Sequence, residues 1–90
     1  MDIERIRAKI ADIAAQPKHV RFEELVTLLD NHISRLCRYN HHGNPHHAFT
    51  VNDETFNISK PHGGGFVKKV YVMKFLEAME ALGLYEAGGD

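Results

Sequence analysis

Four of the chain's seven histidines fall in one short stretch, Asn40-His41-His42-Gly43-Asn44-Pro45-His46-His47. An imidazole titrates near neutrality, so it can take a proton from one oxygen and give one to another. Cleavage of an RNA strand by its own 2′-hydroxyl needs both transfers. The residues that follow, Ala48-Phe49-Thr50-Val51, alternate in the manner of a strand, which sends successive side chains to opposite faces. With Phe49 and Val51 turned to the core, His47 shares their side and His46 joins Ala48 and Thr50 on the open one. His46 is therefore the accessible imidazole and the candidate general acid or base.

A second group surrounds the glycine run Gly63-Gly64-Gly65. Lys60, His62, Lys68 and Lys69 flank a backbone whose N–H groups can approach a phosphate closely, and their side chains supply the charge. These four are the candidate contacts to an RNA backbone, with Arg35, Arg38 and Lys74 as weaker ones. Tyr39 would stack on a base if it shared a face with His46. Imidazoles at 41, 42, 46 and 47 also suit zinc, copper or nickel. The turn, however, holds no Cys, Asp or Glu to complete a familiar ligand set, and a strand points His46 and His47 apart, so neither a metal nor a cofactor is expected.

Charge is distributed to match. The chain's net charge of −1 argues against a strongly basic nucleic-acid binder, yet residues 1–34 carry −1, residues 35–74 carry +4 and residues 75–90 carry −4. Five histidines lie in the positive middle segment, and the acidic cluster Glu77, Glu80, Glu86 and Asp90 disfavours RNA on its own side. Any anion is met in the middle of the chain.

The elements that must hold these residues are legible from period. Ile3, Ile6, Ile10 and Ile13 predict an amphipathic helix over 2–15, ended before Pro17, and Phe22, Leu25, Val26, Leu28, Leu29 and Ile33 predict a second over 22–33. Between Ser34 and Pro61 the period falls to two, predicting strands at Leu36–Tyr39, His46–Val51 and Phe56–Ser59. A polar turn over 40–45 and a short hairpin at Asn52-Asp53-Glu54 would join them in an antiparallel sheet. Val72, Phe75, Leu76, Met79 and Leu82 predict a third helix stopped at Gly83, and Gly88-Gly89-Asp90 a frayed tail. With 90 residues, this is one α+β domain: helices cover one face of a three-stranded antiparallel sheet and leave the other for a ligand, as in the double-stranded-RNA-binding fold. The lone Cys37 can form no internal disulfide, no run reaches the ~20 apolar residues of a membrane span, and the N-terminus lacks a signal pattern, which together predict a cytoplasmic protein.

The run Arg21-Phe22-Glu23-Glu24-Leu25, the turn Gly43-Asn44-Pro45-His46 with its alternating strand, Asn57-Ile58, and the glycine loop leading through Lys68, Lys69 and Tyr71 into a helix resemble the HicA family of toxins. The resemblance covers residues 21–84, residues 1–20 matching the extra N-terminal helix of a longer branch. It implies a messenger-RNA endonuclease silenced by a HicB-like antitoxin, with the one catalytic strand histidine falling at His46. Pro45 stands where the family has serine. A noncatalytic RNA-binding or protein-interaction module on the same fold is the competing expectation, and it predicts binding without product.

Overall fold

The computed structural model describes residues 1–43 and 46–87. Along the chain run α1 (Ile3–Ala15), α2 (Phe22–Asn31), a 3-10 turn (Ile33–Arg35), β1 (Tyr39–His42), β2 (Ala48–Val51), β3 (Glu54–Asn57), a second 3-10 turn (His62–Gly64) and α3 (Lys69–Ala81). Asn44 and Pro45 of the expected turn, and Gly88, Gly89 and Asp90 of the expected tail, lie outside the described residues.

Helix α1 begins where the Asp2 carboxylate accepts from the Arg5 N–H at 2.9 Å, and it buries Ile6, Ile10 and Ile13, three of the four isoleucines of the sequence stripe. Helix α2 begins at Arg21, whose N–H donates to the Glu24 carboxylate at 2.9 Å, and it buries Phe22, Leu25, Leu28 and Leu29. Helix α3 ends as the sequence predicts. The Gly83 N–H donates to Glu80 and the Leu84 N–H to Met79, both at 2.9 Å, the paired bonds of a Schellman cap. Val72, Phe75, Leu76, Ala78 and Met79 of α3 join the other helices' apolar residues in one core.

The strands form an antiparallel sheet in the order β1-β2-β3, with His41 opposite Phe49 and Phe49 opposite Phe56. Phe49, Val51 and Phe56 are buried on the face that meets the helices. Asn40, Thr50, Thr55 and Asn57 occupy the other, where the Thr50 and Thr55 hydroxyls bond at 3.1 Å. Among the described residues the fold is thus α+β, with a three-stranded antiparallel sheet and three α-helices.

The first strand sits further along than its apolar alternation suggests. Leu36 and Cys37 continue the end of α2: the Leu36 N–H donates to Ile33 at 2.9 Å and Cys37 Sγ approaches the same carbonyl at 3.5 Å. Pairing begins at Tyr39 opposite Val51, so Asn40, His41 and His42, expected in a turn, are strand residues. Polar side chains fit there because one face is open and His41, on the other, finds a partner. The hairpin between β2 and β3 is Asn52-Asp53, with Asn52 at φ 55°, a left-handed conformation that asparagine tolerates.

Candidate active site

The polypeptide after β3 runs back past the start of β2, and between them lies a cleft of about 570 Å³ lined by His46, His47, Ser59, Lys60, Pro61, His62 and Gly63. Three residues singled out from sequence, His46, Lys60 and His62, therefore meet in one place. Two others do not: Lys68 precedes α3 and Lys69 is its first residue, both exposed and outside the cleft lining. Arg35, Arg38 and Lys74 are exposed and away from it as well, Arg38 lying 4.0 Å from Asp53.

Backbone and side-chain ties hold the far wall of the cleft. The Val67 N–H donates to Val20 at 2.8 Å, an isolated bridge pairs Arg21 with Phe66, and the Arg21 guanidinium reaches the Gly64 carbonyl at 3.1 Å while lying over the Phe66 ring. Between these anchors and Lys60 the chain turns through Gly63 and Gly64, both at positive φ (76° and 77°). No neighbour crowds either glycine, so backbone conformation is the reason a side chain is disfavoured there. On the near wall, the buried Phe22 ring meets the His47 ring edge-on at 4.7 Å and has Lys60 Nζ above it at 5.8 Å. One aromatic ring thus sets the imidazole and the ammonium side by side.

His46 is exposed, precedes β2 rather than belonging to it, and lines the cleft. His47 is half-buried. Its Nδ1 lies 3.0 Å from His41 Nε2, and His41 Nδ1 lies 3.1 and 3.2 Å from the two carboxylate oxygens of Asp30 at the end of α2. The Tyr39 hydroxyl donates to the same carboxylate, and His41 stacks on Phe49 with ring centroids 4.2 Å apart. Tyr39 accordingly faces the helices and not the open side, which removes it as a base-stacking residue. His42 turns to the open face, where its ring bonds the Asn40 amide at 2.8 Å, so the four imidazoles of this stretch do not converge. Among the described residues no group of three or more His, Cys, Asp or Glu side chains is placed to share an ion.

The electrostatics follow this geometry. Burial, then the His41 ring and the Lys60 ammonium, depress the His47 pKa below the ordinary histidine value, with Asp30 opposing. His47 is held neutral at neutral pH. Burial raises the Tyr39 pKa, and the bond to Asp30 and its charge raise it further, so its hydroxyl stays protonated. Burial also pushes the Cys37 thiol up, which leaves it a poor nucleophile.

The line Asp30–His41–His47 was invisible to sequence reasoning. Its residues come from α2, β1 and the position just before β2, and the only trace is that His47 shares the side of Phe49. No family model, no curated protein and no solved structure matches this chain.

Proposed function

We propose that the chain is a metal-independent messenger-RNA endonuclease of the HicA-like toxin type, working in the cytoplasm and held silent by a HicB-like antitoxin. The observation that supports this reading is the meeting of His46, Lys60 and His62 in one cleft of about 570 Å³. Phosphodiester cleavage by an adjacent 2′-hydroxyl requires a proton acceptor, a proton donor and positive charge at the phosphate. In this reading His46 carries the proton transfer, while Lys60 and His62 hold the scissile phosphate. Lys68 and Lys69 follow the strand beyond the cleft and contribute binding that weakens with salt. An acidic partner closing the cleft would silence the activity by occupying the phosphate position. The product is a 2′,3′-cyclic phosphate or the monoester formed from it.

The test is incubation of a long, mostly single-stranded RNA with purified protein in excess EDTA, wild type against His46→Ala, resolved on a denaturing gel. Cleavage by the wild type and its loss in the variant support the reading. Intact RNA in both, with a retained complex on a native gel, would replace it with a noncatalytic RNA-binding module.

A further inference from the structure

We infer that His47 is a second catalytic imidazole of the cleft, its general base, and that His41 and Asp30 are positioning residues that fix its tautomer. This deepens the nuclease reading and rests on it.

The argument begins at the carboxylate. Ionised Asp30 only accepts, so with both its oxygens 3.1 and 3.2 Å from His41 Nδ1, that nitrogen carries the proton. With His41 neutral, its Nε2 presents a lone pair, and across the 3.0 Å contact with His47 Nδ1 the donor is then His47. The proton of neutral His47 is therefore on Nδ1 and its lone pair on Nε2. Among the described residues Nε2 makes no hydrogen bond, and His47 lines the cleft. The line of bonds has written a base into the wall.

Its surroundings keep it so. The half-buried pair rests on aromatic rings: His41 lies on Phe49, His47 against Phe22, and a methyl built on Gly43 would sit 3.5 Å from the His47 ring and 3.6 Å from His41 Nε2. The groups facing His47 are Asp30 from α2, His41 from β1, Lys60 and His62 from the segment after β3, and His46 beside it. Lys60 discourages protonation in the resting cleft. Once a proton arrives at Nε2, the Nδ1 proton can pass to His41, where the positive charge lies against Asp30.

The reaction balances on the two imidazoles. His47 Nε2 takes the 2′-hydroxyl proton as O2′ bonds to phosphorus. The P–O5′ bond breaks, and the leaving O5′ receives a proton from His46. The cycle leaves His47 protonated and His46 neutral, and the reverse pair of transfers with water opens the cyclic phosphate.

The experiment is single-turnover cleavage of an RNA oligonucleotide in EDTA across the range where imidazoles titrate, with the imidazole nitrogens of the wild type followed by NMR. His47→Asn keeps a donor where Nδ1 was but has no base, and it should lose about 100-fold in rate. Asp30→Asn should lose about tenfold. The limb on which rate rises with pH should move down in Asp30→Asn and up in Lys60→Gln, since the first removes an attraction for the proton and the second a repulsion. NMR should find His41 and His47 both protonated at Nδ1. Wild-type cleavage with an equally active His47→Asn, or a neutral His47 protonated at Nε2, would overturn the inference and leave the nuclease reading standing. Intact RNA with the wild type overturns both.

Discussion

The region between α1 and α3 and the region beneath β1 solve the same problem in opposite ways. In the first, Ile6, Ile10 and Ile13 meet Val72, Phe75, Leu76 and Met79 in a core that, among the described residues, holds no buried polar side chain. In the second, Tyr39, Asp30, His41 and His47 form a line of directional bonds where a small domain would more simply place apolar residues. Apolar contact is non-directional and tolerant of repacking, so it serves stability. A polar line needs every partner in place, contributes less net stability, and fixes protons on particular atoms. The difference sets a line of directional polar bonds at the β1 end against an apolar scaffold at the α1 end.

The comparison can be broken at its scaffold side with the largest effect. Phe75→Ala, at a fully buried ring on α3, should lower unfolding free energy by about 3–5 kcal/mol, read from urea denaturation. The loss should not depend on pH, since no titrating group is involved. On the other side, Asp30→Ala strips the acceptor from both the Tyr39 hydroxyl and His41 Nδ1, and should cost about 1–3 kcal/mol. Its mark is a larger loss in single-turnover rate than in stability, whereas Phe75→Ala should show the reverse.

A smaller effect sharpens the contrast through pH. The His47 pKa is depressed in the folded protein, so the unfolded chain binds this proton more readily. The stability tied to keeping His47 neutral is present above the unfolded value of ~6.5 and is lost as pH falls through it toward the folded value. Urea midpoints should fall with acidification below that point, and less steeply in His47→Asn than in the wild type. Smallest of all is Gly43→Ala. A methyl there makes ordinary contact with the His41–His47 pair, so stability should change by less than about 1 kcal/mol, as thermal melting would show.

Sequence period was sufficient for the scaffold and insufficient for the polar line, for one physical reason. The isoleucine stripe of α1 and the apolar face of α3 recur every three or four residues because a helix returns them to one side, so element and burial are read together. Asn40-His41-His42 has no apolar member to reveal a strand, and Leu36 and Cys37 beside it offer a false alternation that belongs to the end of α2. The same sequence does bring His46, Lys60 and His62 under suspicion, through residue type and the glycine run, and the fold gathers them in one cleft. What types and spacing cannot carry is the meeting of Asp30 with His41, set by how the end of α2 packs on β1. Lys68 and Lys69 show the converse: adjacency to the glycine run in sequence did not put them in the cleft.

The most direct measurement compares one RNA strand with the same strand 2′-O-methylated throughout, each incubated with wild-type protein in EDTA and the products resolved by phosphorus NMR. Cleavage of the RNA alone, with a 2′,3′-cyclic phosphate signal that precedes any monoester, is the predicted result. Cleavage of the methylated strand, or RNA recovered intact, would contradict the account.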